Sequence, residues 1–405
     1  MKNSKSLRKR VARSVQSIRP SGIRDFFEIV SSMEDTISLG VGEPGYATPW
    51  HIRDSSMYAL ERGATSYTSN LGLEELRTAL SEYVEAFFGP SYDPAAEILV
   101  TTGVSEGLDL AIRAIVDPGD EVIYHQPSYV SYEPTIQLSY GIPVVVETVA
   151  SNGFELEPEA VQAKITPKTK ALVLNYPNNP TGAALSLEKI EQLAELVLRH
   201  DLLVITDEIY AELTYEGQHR SIASLPGMRE RTILLHGFSK AWAMTGFRIG
   251  YCCAPAELTK AMTTIHQYTM LCAPTLSQVA AVEALANPKW DLEEARSRYR
   301  LNRNLMCRSF AEMGLPCHLP RGAFYAFPFI GDLGMTSKAF ALRLLEQEKV
   351  AVVPGNAFGP CGESFVRCCF ATSLDDIKTA MARMAVFVNR IRETAVPRSG
   401  IATQS

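Results

Sequence analysis

The sequence predicts an α/β protein of two domains, a large one on a mostly parallel sheet sandwiched by helices and a smaller α+β one. Three observations predict it. From about residue 73 to 240, amphipathic segments at helical spacing alternate with short, wholly apolar runs, the pattern of strands buried on both faces. Near Asn287-Pro288 this alternation gives way to a long, strongly charged helical segment and then to short strands and helices. The 405 residues also exceed what one core organises, since domains run to roughly 100–200 residues. We therefore divide the chain into an arm (1–41) that joins the small domain, a large domain (42–288) and a small domain (289–405).

Each element has its own signal. Leu73–Phe88 repeats apolar residues at helical spacing and stops at Gly89-Pro90. Ile98–Val100 is a short buried strand, followed by a Thr-Thr-Gly turn and the helix Ser105–Val116, which ends at Asp117-Pro118-Gly119-Asp120. Glu121–Tyr124, Val144–Val146, Ala171–Asn175, Leu202–Thr206 and Thr232–Leu235 are apolar runs of strand length, and Gly250–Ala254 closes the layer. Between the later strands lie the helix Leu187–Arg199 and a less regular segment, His219–Arg231. Beyond the boundary come the helix Trp290–Met313, the segment Gly322–Pro328, a helix at Ser337–Glu348, the strands Val350–Val353 and Phe365–Phe370, and a last helix at Leu374–Arg392. No repeat or low-complexity tract interrupts them.

Composition excludes several functions. Net charge is −6, yet residues 1–24 hold eight Lys or Arg and no acid, which leaves −14 for the rest. So acidic a body does not attract nucleic acid. No run of about 18 apolar residues exists, so no transmembrane helix is expected. The basic start lacks the apolar stretch of a secretory signal; it reads first as a solvated arm and second as an organelle transit peptide. Eight cysteines without C-x-x-C spacing read as reduced thiols of a cytoplasmic protein, and the scattered histidines give a metal site no support.

In an open α/β sheet the ligand lies beyond the carboxyl ends of the strands, so polar residues that follow the apolar runs are the ones to inspect. They are Tyr176-Pro177-Asn178-Asn179-Pro180-Thr181-Gly182, Asp207-Glu208-Ile209-Tyr210, and His236-Gly237-Phe238-Ser239-Lys240 with Arg248 eight residues on. Singly each has a bland reading: a turn, a helix cap, a solvated charge. Together they fit one chemistry. A loop lysine after a buried strand can form a Schiff base with an aldehyde cofactor. Ser239, Arg248 and the amides of Gly103, Val104 and Ser105, which open a helix, suit a phosphate. Asp207 can keep a pyridine nitrogen protonated, Asn179 and Tyr210 can hold a phenolic oxygen, and Tyr129 can stack on the ring. The cofactor that fits is pyridoxal 5′-phosphate.

In these motifs the sequence resembles the class I aminotransferases of fold type I, in the subgroup with many prokaryotic aspartate, aromatic and N-acetyl-diaminopimelate aminotransferases. The resemblance runs from Pro20-Ser21-Gly22-Ile23-Arg24 to the last helix, through Gly42-Glu43-Pro44, Tyr67 before Gly72 and Glu75-Leu76-Arg77, Asn179-Pro180-Thr181-Gly182, Asp207-Glu208-Ile209-Tyr210, Ser239-Lys240, Arg248 and Arg367. It implies a seven-stranded sheet, ping-pong transfer of an amino group from an L-amino acid to a 2-oxo acid, and Lys240 as the Schiff-base lysine and general base. It also implies Arg367 and Gly42 as contacts of the substrate α-carboxylate, and a homodimer in which Tyr67 reaches the neighbouring subunit's phosphate. Two departures stand out. Gly237 replaces the first serine of the family's Ser-x-Ser-Lys, and Ser105 stands where some aspartate enzymes carry a lysine for the distal carboxylate; Arg24 is the candidate replacement. The Ser-Gly-Ile-Arg stretch, Met335-Thr336-Ser337 and His266-Gln267-Tyr268 look most like the N-acetyl-diaminopimelate branch.

Two rival readings are weighed. A β-lyase or decarboxylase would use the same cofactor residues. Gly40-Val41-Gly42-Glu43-Pro44-Gly45, with Glu61 downstream, is formally a dinucleotide fingerprint, although Pro44 and Pro49 oppose the required helix.

Overall fold

The computed structural model describes Leu7, residues 10–18, 35–286 and 288–395. A one-turn helix, α1 (Arg13–Gln16), is followed by strand β1 (Ile37–Ser38) and helices α2 (Trp50–Glu61) and α3 (Glu74–Phe88). The large sheet comprises β2 (Ile98–Thr101), β3 (Glu121–Gln126), β4 (Ile142–Glu147), β5 (Thr169–Leu174), β6 (Leu203–Asp207), β7 (Thr232–Gly237) and β8 (Gly250–Cys253), in the order β2-β8-β7-β6-β5-β3-β4. Strands β3 to β7 pair in parallel, and β8 runs against both its neighbours. The expected mostly parallel, seven-stranded α/β sheet is present. Its last strand does not lie at an edge, however: β8 is inserted between β2 and β7.

Helices α4 (Val104–Ile115), α5 (Tyr132–Leu138), α6 (Pro158–Gln162), α7 (Leu187–Arg199), α8 (Ala256–Thr269) and α9 (Thr275–Ala286) cover the sheet. Buried rows such as Leu76/Leu80/Val84 on α3 and Leu108/Ile112/Ile115 on α4 face it from separate cores. Helices α1, α2, α5, α6, α8 and α9 are absent from the sequence expectation. The reason is plainest for α9, whose buried small residues Ser277, Ala280, Ala281 and Ala284 leave no amphipathic stripe to read.

The rest of the chain forms the α+β part: α10 (Pro288–Glu312), β9 (Tyr325–Ala326), α11 (Ser337–Glu348), β10 (Val350–Ala351), β11 (Val353–Pro354), β12 (Val366–Cys369) and α12 (Leu374–Ala395). The single expected strand Val350–Val353 is two. β10 pairs with β1, while β11 joins the antiparallel set β11-β12-β9, so the chain changes partner at Val352. Met335-Thr336-Ser337 is the start of α11, where the Thr336 hydroxyl accepts from Ala339 N at 3.2 Å. The dinucleotide reading fails here. β1 belongs to the small sheet, Gly40–Gly45 opens no helix, and the next helix begins at Trp50, so no βαβ unit surrounds the glycines.

Three glycines press the N-terminus of α4 onto the ends of β7 and β8. A Cβ on Gly250 would lie 2.8 Å from the backbone of Gly103 and Val104, and one on Gly237 would lie 2.8 Å from Gly250 Cα and 3.0 Å from Ile249 O. Gly103 itself has φ 78°. This explains the departure at Gly237, since a serine there would strike the backbone of β8. Gly237→Ser, which supplies the family's hydroxyl, should destabilise the apoprotein by about 1–3 kcal/mol in denaturant melts; an unchanged midpoint would contradict the packing argument.

Candidate active site

At the carboxyl ends of β5, β6 and β7 lies a cavity of about 930 Å³, lined on its far wall by Arg367 of β12. Gly42, Val104, Ser105, Tyr129, Asn179, Asp207, Tyr210, Ser239, Lys240, Arg248 and Arg367, all expected from sequence, line it together. Gly103 stands directly before Val104 as the cap of α4. Tyr67 does not line the cavity, and its side chain is 82% exposed. Arg24 lies outside the described residues.

Lys240 follows β7. Its Nζ donates to Gly42 O at 2.6 Å and lies 5.9 Å from the Tyr210 ring centroid and 5.7 Å from that of Phe324. Burial lowers its pKa to about 8; Cys369 opposes this, the Arg367 charge reinforces it, and Glu43 and Asp207 oppose it more weakly. Asp207 ends β6 and is buried, with Oδ1 accepting from Ile209 N at 3.3 Å and Oδ2 from the Tyr132 hydroxyl at 2.7 Å. Burial raises its pKa to about 6, although those two hydrogen bonds pull the other way. One physical cause, desolvation, thus moves an amine down and a carboxyl up toward each other.

Arg367 is buried between the rings of Tyr325 and Phe358, 4.5 and 4.8 Å from their centroids. Nη1 donates to Asn179 Oδ1 at 2.8 Å and Nη2 to Gly40 O at 2.6 Å, while Nε has no partner among the described residues. Asn179 is fixed in turn, its backbone N donating to Asn175 Oδ1 at 3.1 Å while Asn175 Nδ2 donates to Asp207 O at 2.9 Å. The hydroxyls of Tyr210 and Tyr325 are 2.8 Å apart. Arg248 sits at φ 51°, donates to Thr245 O at 3.2 Å and approaches Gly103 so closely that a Cβ there would lie 2.9 Å from its guanidinium.

Pyridoxal phosphate matches this donor set. The Arg248 guanidinium beside Ser239 and the opening amides of α4 suit a phosphate, a half-buried amine of lowered pKa suits an aldehyde, and a buried carboxylate suits a basic ring nitrogen. The turn before α4 also has a brace: Glu106 Oε2 accepts from Thr102 N at 2.5 Å, and its Oε1 meets buried His266 Nδ1 at 2.6 Å.

Sequence reasoning missed Tyr132, Tyr325, Phe358 and Glu106. The last had a signal, an acid in the first turn after a glycine cap, where a carboxylate reaches back to free amides. The three aromatics had none, because nothing in the sequence pairs Tyr132 with Asp207, Tyr325 with Tyr210 or Phe358 with Arg367.

The Asp207 shift carries a sign. Its folded pKa exceeds the unfolded value, so the ionised carboxylate destabilises the apoprotein above about pH 6, and the effect vanishes below about pH 4. Asp207→Asn should therefore stabilise the apoprotein by about 3 kcal/mol at pH 8 and by almost nothing near pH 4. Unfolding curves across pH measure it, and equal stabilities at pH 8 would contradict it.

Residues 34–384 match the family described as aminotransferase class I and II. The chain is 51% identical to the putative aminotransferase YugH of Bacillus subtilis over 93% of its own length and 97% of that protein's. It is 42% identical to the probable N-acetyl-LL-diaminopimelate aminotransferase of the same organism, over 93% and 95%. Against the crystal structure of the aromatic aminotransferase from Pyrococcus horikoshii the TM-score is 0.87 at 42% identity, covering 92% of this chain and all of that one.

Proposed function

The chain belongs to the class I and II aminotransferases, and from that premise we propose which of its residues carry the pyridoxal phosphate-dependent transfer of an amino group from an amino acid to a 2-oxo acid. The observation that carries the assignment is Lys240, Asp207 and Arg367 on one cavity. When bound, pyridoxal phosphate supplies the aldehyde that takes up the amino group and the ring that accepts electron density from the substrate Cα.

The side chains do the rest. Arg248, Ser239 and the Gly103–Ser105 amides hold the phosphate. Asp207 would hold the ring nitrogen in its protonated form, Tyr129 would meet the ring face, and Asn179 and Tyr210 would hold the ring oxygen. Arg367 fixes the substrate α-carboxylate with two parallel N–H donors, and the Gly42 backbone lies beside it. This fixes the direction of the Cα–H bond. Lys240 Nζ would take up and return that proton as the general base, and a pKa lowered to about 8 leaves a usable share of neutral amine at ordinary pH. Arg24 is proposed as a contact to a distal group of the substrate.

The same reading assigns residues 1–41, 42–288 and 289–405 to arm, large domain and small domain. It also places the enzyme in the cytoplasm, in keeping with eight free cysteines. Among the described residues no helix is long and apolar enough to cross a membrane. A homodimer is supported by Tyr67, 82% exposed, with Tyr268 at 81% and Met270 at 48%, an aromatic and apolar edge that a second copy would cover. Light scattering should give twice the chain mass, and Tyr67→Ala should weaken cofactor retention; a monomer with full activity would contradict the shared site.

The donor is tested with aspartate, aromatic amino acids and N-acetyl-LL-diaminopimelate against 2-oxoglutarate. One donor should discharge the cofactor's absorption, and a 2-oxo acid should restore it; release of pyruvate and ammonia instead would mark a lyase. Arg367→Lys should raise KM for every donor by about tenfold or more, because one point charge replaces a fork. A change confined to one donor would contradict the role given to Arg367.

A further inference from the structure

Tyr132 lines the cavity and is buried. It is the first residue of α5, and its ring stands edge-on to Tyr129, 5.8 Å between centroids at 81°. Its hydroxyl donates to Asp207 Oδ2 at 2.7 Å, across 75 residues of sequence. In the sheet order β6-β5-β3 the bond spans β5, tying the segment that follows β3 to the end of β6. Among the described residues only one other hydrogen bond reaches that carboxylate, the longer one from Ile209 N to Oδ1 at 3.3 Å. A buried carboxylate with so few donors depends on each of them to remain charged and in one rotamer. Burial, reinforced by the carboxylate beside it, pushes the Tyr132 phenol well above its ordinary value, so it stays a donor throughout the working pH range.

We propose that Tyr132 is a positioning residue: its hydroxyl orients Asp207 and keeps it ionised, while its ring braces Tyr129, so that one side chain sets both the edge and the face of the cofactor site. The proposal rests on the reading of Asp207 given above. The other titratable groups around Asp207 are Glu208 beside it, Tyr210, His236 of β7 and Lys240. None of these supplies a hydrogen bond to its carboxylate oxygens among the described residues, so the Tyr132 hydroxyl is the side-chain donor whose loss Asp207 would register.

The test compares wild type, Tyr132→Phe, Asp207→Asn and the double variant. Phenylalanine keeps the ring and its packing and removes only the hydroxyl. In melts of the apoprotein, Tyr132→Phe should lower the midpoint more at pH 8, where Asp207 is ionised, than at pH 5, where it is largely protonated. In the Asp207→Asn background the cost of Tyr132→Phe should not change with pH. With cofactor bound, Tyr132→Phe should move the acid limb of kcat up by about one pH unit, a roughly tenfold loss at the acid end that recovers above pH 8, with KM for the donor unchanged. A cost independent of pH in both backgrounds, or an unmoved acid limb, would overturn the proposal and leave Tyr132 a packing residue. If instead Asp207→Asn retains wild-type kcat, the reading of Asp207 fails, a result the melts of the apoprotein do not depend on and so cannot be confused with.

Discussion

The approach of backbone to backbone at Gly103, Gly237 and Gly250 is the constraint on which the site depends. β7 ends two residues before Ser239 and α4 begins at Val104, so the turn that carries the lysine and the helix end that offers free amides share one place only if no side chain separates them. Because β8 is inserted antiparallel beside β7, Gly250 arrives at the same point from the opposite direction. Arg248, two residues earlier, is thereby delivered to the mouth of the helix, and its left-handed backbone turns the guanidinium toward Gly103. A phosphate-sized anion would meet helix amides, a guanidinium and a serine hydroxyl within one turn of chain on each side.

From this corner the remaining groups are set by the sheet. Parallel strands end at one edge, so Asn175, Asp207 and the lysine turn fall side by side along it. The second part of the fold supplies the opposite wall through β12. Arg367 there is held by oxygens from the large sheet's loops and from the Gly40 segment, so one guanidinium ties β12 to two other stretches of chain. Its enclosure by Tyr325 and Phe358 keeps water off the fork and strengthens whatever carboxylate it meets. Enclosure also raises the cost of every charge in the cavity, which is why the amine and the carboxyl both move toward neutrality when nothing is bound.

The fold class, the large sheet and the cavity's principal polar residues, among them Asn179, Asp207, Lys240, Arg248 and Arg367, were legible because each sits at a punctuated place, directly after an apolar run or inside a short ordered motif. Position of charge, more than net charge, carried that information: an acidic body places Lys240, Arg248 and Arg367 around one cavity. What stayed hidden is non-local. The insertion of β8 depends on which strands pair, and Gly250 carries no mark of its contact with Gly103. Tyr132 acts through Asp207, 75 residues away, and α9 buries small residues that leave no amphipathic stripe to read. The split at Val352 is equally silent, since Val350–Pro354 reads as one apolar run although its two halves join different sheets.

The central claim is that the amine of Lys240, and no other lysine, takes the cofactor. Reduction of the holoenzyme with borohydride, followed by digestion and mass spectrometry, reads this directly. A pyridoxyl-phosphate mass on the peptide containing Ser239-Lys240, in one copy per chain, is the result expected. The label on another lysine, or spread over several, would contradict the account.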